Sequence, residues 1–169
     1  MAVVAGQPGG HRSPPTDFIG TSRIASVVCR DVVWLFALLV AQQTDPVLLT
    51  VARGEFSEVS QVREVFVRER SEWEALWRSH APADPAPAVD FSTDAIAAVF
   101  LGTRPTGGFG VEITSARRQA DTLIIAYVER RPDPADIVTQ VLTSPFHIVE
   151  LPRHAGPVRF QKEPVAGAR

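Results

Sequence analysis

The segment of this 169-residue chain closest to a known chemical device is 102–109 (GTRPTGGF), where Gly102 and Gly107 have the separation of a phosphate-binding loop. Such a loop needs lysine and then serine or threonine after its second glycine, to reach the phosphates and the magnesium, and it must open into a helix. Gly108 and Phe109 stand in those places and strand-type residues follow, so nucleotide chemistry is not expected. Acyl chemistry would require a nucleophile, a base and an orienting group within hydrogen-bond reach. Ser144 near His147 is the one candidate pair, and no serine lies in a GxSxG elbow that would supply an exposed turn and oxyanion donors. His147 shares a strand face with Val149 and Leu151, which reads as a hydrogen-bonded structural histidine. Asp90 and Asp94 could pair as carboxylates, but beside Phe91 and before an apolar run they read as turn or capping groups.

Metal and nucleic-acid chemistry fare no better. The histidines are His11, His80, His147 and His154, without metal-ligand spacing, and Cys29 is the only cysteine, so neither an intrachain disulfide nor a thiolate zinc cluster can form. Seventeen basic against 19 acidic residues give a net charge of -2, and the signs alternate along the chain instead of forming a basic stripe. The expectation is a non-catalytic binding domain with no cofactor, no metal and no nucleic-acid partner. In that reading 102–109 is a strand-connecting turn in which Pro105 fixes φ and Gly107 and Gly108 supply positive φ. It presents Arg104 and Phe109, residue types that dominate binding energy when they enter a partner's pocket. The expected partner-binding surface is Arg104, Pro105, Thr106, Gly107, Gly108 and Phe109 with the neighbouring turn Thr143, Ser144, Pro145 and Phe146.

The elements that must hold these loops are mainly strands. Residues 47–51 and 65–67 are short and β-branched, 95–101 (AIAAVFL) and 123–128 (LIIAYV) are continuous apolar runs of central strands, and Phe109, Val111 and Ile113 alternate with Gly110, Glu112 and Thr114. Residues 146–151 and 158–160 supply two more. One helix is predicted over 72–80, with Trp73, Leu76, Trp77 and His80 forming an inward stripe. Ser71 and Glu74 have capping-box spacing, Glu74 and Arg78 are an i, i+4 pair, and Pro82, Pro85 and Pro87 end the helix. This is a mainly β chain with one α-helix, an α+β fold in which a curled antiparallel sheet forms a sandwich or a partial barrel.

The domain organisation expected is a leader over 1–44, a β-rich binding domain over 45–163 and a tail over 164–169. Residues 1–22 are rich in Gly, Pro and small residues and carry no apolar period. The apolar run 32–41 (VVWLFALLVA) is too short for a membrane span but fits the h-region of a signal peptide cleaved after Ala41. Export to the cell envelope or beyond is the preferred reading, and a buried strand or short helix of a cytoplasmic protein is the alternative.

From about residue 50 to 162 the chain resembles the C-terminal domain of PrcB-type protease-complex-associated polypeptides. The likeness is carried by 73–77 (WEALW), 89–91 (VDF), 100–109 (FLGTRPTGGF) with Val111 and Ile113, 138–149 (VTQVLTSPFHIV) and 156–160 (GPVRF). It implies an exported bacterial accessory domain, associated with the assembly or stability of a surface protease and not itself a peptidase. Phe109 stands where that family usually has tyrosine, and its lipoprotein cysteine has no counterpart here. Segment 105–109 (PTGGF) also looks like the Pro-Thr-Thr-Gly-Tyr loop of chagasin-type peptidase inhibitors, which are immunoglobulin-like sandwiches. Arg131 and Pro132 are similar to a second loop of those inhibitors, with Asp133 where an aromatic would follow.

Overall fold

The computed structural model describes residues 45–165, so the predicted leader, its apolar run and the cleavage point after Ala41 lie outside the described residues. β3 (Asp94–Phe100) sets the plan, because every side chain from Ala95 to Phe100 is fully buried and a strand without a solvent face must be covered twice. It lies inside a four-stranded sheet with β1 (Leu49–Gly54), β2 (Arg63–Val67) and β6 (Phe146–Pro152), in the order β1-β6-β3-β2, all pairs antiparallel.

One face of that sheet is covered by α1 (Arg70–His80), whose Trp73, Leu76, Trp77 and His80 are buried against Ile96, Ala98, Phe100, Phe146 and Ile148. The proline-rich stretch after the helix does more than end it. After a turn at 82–84 it runs outside any helix or strand and offers free carbonyls, and the indole N–H groups of Trp73 and Trp77 donate to Pro87 O at 2.9 Å and to Asp84 O at 3.1 Å. The helix start departs from the capping box. Glu69, in an extended conformation, is the N-cap and makes no side-chain cap bond, while Ser71 already lies in the first turn. β2 ends at Val67 and the chain must turn at once to lay its stripe on the sheet, so packing sets the start before local capping can. The Glu74–Arg78 ion pair does not form among the described residues, as befits an exposed pair that gains little in water.

The other face is covered by a three-stranded sheet, β4 (Gly110–Gln119), β5 (Thr122–Arg130) and β7 (Val158–Glu163), in the order β4-β5-β7. Val111, Ile113, Ala116, Leu123, Ile125 and Tyr127 pack here on Ala97, Val99, Leu101, Val149 and Leu151. The sheets stay open, so the fold is a sandwich with a helix on its outer face and not a partial barrel. The expectation of purely antiparallel pairing fails at one place: β5 and β7 are parallel. The chain crosses to the other sheet to lay down β6 before it returns, and such a crossover allows β7 to run in the direction of β5. No described helix is long and apolar enough to cross a membrane.

Trp73→Ala should lower the unfolding free energy by about 4 kcal/mol in a urea titration, through loss of a buried aromatic. Ser71→Ala should change it by less than about 0.5 kcal/mol. A loss of about 1 kcal/mol for the serine variant would restore the capping role that the helix start denies it.

Candidate interaction surface

Three loops converge where β3 leaves its sheet and β6 enters it: 55–62, 101–109 and 131–145. Their backbones are tied together. Arg104 and Thr143 form an isolated antiparallel bridge, with Arg104 N–H donating to Thr143 O at 2.7 Å and Thr143 N–H to Arg104 O at 3.0 Å. The Thr143 hydroxyl donates to Thr106 O at 2.8 Å, Gly107 N–H to Thr139 O at 2.9 Å, Ser144 N–H to Glu55 O at 2.7 Å and Thr103 N–H to Ser60 O at 3.0 Å.

The glycines are used differently from the turn chemistry expected of them. Gly102 and Gly108 take positive φ, +68° and +83°. A Cβ on Gly102 would lie 2.7 Å from Ser60 O, so loop 55–62 can approach only a glycine there. Gly107 does not adopt positive φ; its place is set by proximity, since a Cβ would fall 2.3 Å from Thr139 Oγ1.

The two predicted segments are therefore brought side by side, but their side chains divide. Pro105 is exposed, and Arg104, Thr106, Gly108, Phe109 and Ser144 are partly buried. Gly107, Thr143, Pro145 and Phe146 are buried, and the Phe146 ring belongs to the core, 4.1 Å from the His80 ring centroid. Arg104 is not a free cation. Its guanidinium lies over the Phe109 ring, 5.8 Å from the centroid, and 3.6 Å from Glu129 Oε1. Glu129, with a side chain only 6% exposed, also holds Arg131 at 3.1 Å and contacts Lys162. Burial alone would raise the Glu129 pKa, but hydrogen bonds from Lys162 and Arg131 and their charges outweigh it and hold the carboxyl below its ordinary value.

Sequence reasoning missed the apolar side chains on these loops. Phe56, Val62, Ile137, Val141 and Leu142 are exposed, Ile137 fully and Phe56 and Leu142 by about two thirds. Their signal was faint: lone apolar residues and the short pairs 137–138 and 141–142 in polar loops, with no period to mark them. Glu129, which anchors the loop cation, was hidden at the end of a strand.

His147 takes no part in this surface. It faces the second sheet, 3% exposed, where Nδ1 accepts Ile113 N–H at 2.8 Å beside the bulge of β4. That backbone donor leaves the ring proton on Nε2, which donates to Thr50 Oγ1 at 3.1 Å. Both nitrogens are engaged, so neither can take a proton from Ser144. Burial, followed by the nearby Arg53 charge and opposed by Glu112, lowers its pKa from 6.5 to about 4. Asp90 accepts the Ser92 N–H at 3.0 Å and its hydroxyl at 2.6 Å, a turn-stabilising role.

Residues 95–152 match the family model described as PrcB C-terminal. The match runs from β3 through β6 and contains the 101–109 and 131–145 loops, within the stretch over which the sequence resembles that family. Comparison with curated proteins and with solved structures gave no match.

The folded value of His147 lies below its unfolded value, so the unfolded chain binds the extra proton between the two and stability rises with pH across that window. As pH falls from 6.5 to 4, this group should remove about 3 kcal/mol of unfolding free energy. His80, shifted downward as well, adds to the slope. In urea titrations across that range a His147→Gln variant should show a shallower slope than the native chain, and an identical slope would refute the assignment.

Proposed function

We propose that residues 45–163 form a non-catalytic accessory domain that binds and stabilises a protein partner, a surface or secreted protease, through the converged loops. The observation that carries this reading is the cluster of exposed apolar side chains, Phe56, Val62, Ile137, Val141 and Leu142, on loops whose backbones are hydrogen-bonded to one another. Exposed apolar area is common one residue at a time; gathered on pinned loops beside an arginine and an aromatic, it has the makeup of an interface core. Pinning matters energetically, because little loop entropy is then lost on binding.

The family match supports the protease association, and the apolar run 32–41 supports export. The commitment of His147 to two inter-sheet hydrogen bonds supports the non-catalytic reading. In this proposal Arg104, Phe109, Pro105, Thr106, Gly108 and Ser144 face the partner, and Gly107, Thr143, Pro145 and Phe146 support them from below.

Affinity capture from envelope extract tests it, with the full chain as bait. Arg104→Ala with Phe109→Ala, and separately Ile137→Asp with Leu142→Asp, should each reduce the captured partner by about tenfold or more, the scale of lost hot-spot residues. Capture unchanged by both pairs would dismiss the surface. A longer half-life of the bound protease supports stabilisation, whereas stoichiometric loss of activity in a papain-like peptidase would move the reading to a chagasin-like inhibitor.

A further inference from the structure

Beside the converged loops, under the C-terminal end of α1, lies a pocket of about 380 Å³. Phe56, Leu142, Ala81 and Pro82 give it apolar walls in part, and Glu58 and Asp84 bring negative charge; no lysine or arginine lines it. The helix adds to the same sign, since the carbonyl end of its dipole points here. Arg78, on the last turn, lines a neighbouring groove that shares Pro82 and Asp84 with this pocket.

His80 is the unusual group in this pocket. It is only 6% exposed, with its ring packed on those of Trp77, Phe100 and Phe146. Nδ1 lies 2.8 Å from Ser57 Oγ, but Nε2 has no hydrogen-bond partner among the described residues. Every fully buried side-chain nitrogen or oxygen among those residues has a partner, so the unpartnered Nε2 must keep an opening, and His80 is one of the residues that line the pocket. Burial lowers the His80 pKa, with the Asp84 charge opposing, so the ring is neutral at neutral pH and does not cancel the acids. A ring nitrogen with an opening beside two carboxylates and apolar side chains suits a cationic donor.

We propose that this pocket receives a lysine or arginine side chain carried on an apolar stretch of a partner polypeptide. The apolar walls take the stretch and the aliphatic stem, Glu58 and Asp84 face the charge, and His80 Nε2 accepts a hydrogen bond from the charged head. Occupancy then fixes the histidine tautomer: the ring proton lies on Nδ1 and is donated to Ser57 Oγ. That oxygen already accepts the Val59 N–H at 3.1 Å and has a second lone pair to offer. The site goes beyond the loop surface proposed above. It shares Ser144 with the predicted surface residues and Phe56 and Leu142 with the exposed apolar cluster, and it specifies a basic anchor, which that reading leaves open.

The test uses the full chain and three blocked tripeptides, acetyl-Leu-Lys-Leu-amide and its norleucine and glutamate counterparts. The lysine peptide should bind about tenfold or more tightly than the norleucine peptide, the scale of a charge-assisted hydrogen bond with two acids nearby, and the glutamate peptide more weakly still. Nitrogen NMR of the histidine rings should show His80 settling into the Nδ1–H tautomer on titration while His147 stays unchanged. Glu58→Gln with Asp84→Asn, both exposed positions, should bring the lysine peptide down to the norleucine level. Arg104→Ala with Phe109→Ala should leave peptide binding intact, which separates this pocket from the loop surface. Equal affinity for the three peptides, no saturable lysine binding, or binding that leaves the His80 ring undisturbed would each overturn the proposal.

Discussion

Everything in this fold follows from β3, a strand with nothing to show to water. Its side chains from Ala95 to Phe100 are fully buried, and burying both faces of one strand demands a layer on each side. The amphipathic helix supplies one layer and the β4-β5-β7 sheet the other. β6, laid down last in that sheet, is buried on both faces over most of its length for the same reason. The loops that meet at the candidate surface are the connections this arrangement forces, since the chain must leave β3 for the second sheet and come back to start β6. Leu101 N–H donates to Pro145 O at 2.9 Å at the point where those paths pass, so the surface begins where the core ends.

Apolar layers slide unless polar contacts fix them, and two buried polar groups serve that purpose. His147 joins β6 to the bulged β4 and to Thr50 of β1, tying the two sheets at one register. Glu129 gathers Arg104, Arg131 and Lys162, joining the loops to β5 and β7. Each group is fully engaged, and that makes it costly to disturb: an unpaired buried charge or donor loses its compensation outright. The His147 imidazole has both nitrogens in hydrogen bonds, and the Glu129 carboxylate is held in its charged form by its cations.

What is left over is surface with two characters side by side. The converged loops offer apolar side chains with an arginine that shares one carboxylate with Arg131 and Lys162, so binding there would draw on burial and on the positive charge left over. The pocket under α1 offers negative charge and an open ring nitrogen, so it would draw on orientation and charge. Phe56 and Leu142 border both, which would let one polypeptide engage them together.

The sequence by itself determined the strands and the single helix with its buried stripe, because apolar period and continuity are local properties that survive into the fold; it left the layering open between a sandwich and a partial barrel. It also marked 102–109 and 143–146 as neighbours of interest, since glycines and prolines punctuate loops in a readable way. Tertiary structure alone decided the helix start, the parallel β5–β7 pair, the burial of Phe146 and the pairing of Arg104 with Glu129. Each depends on residues far apart in the chain, and a one-dimensional pattern carries no information about which distant groups meet. The open nitrogen of His80 is the clearest case: at i+7 of an amphipathic stripe it reads as core, and only the packing around it shows which side of the ring was left uncovered.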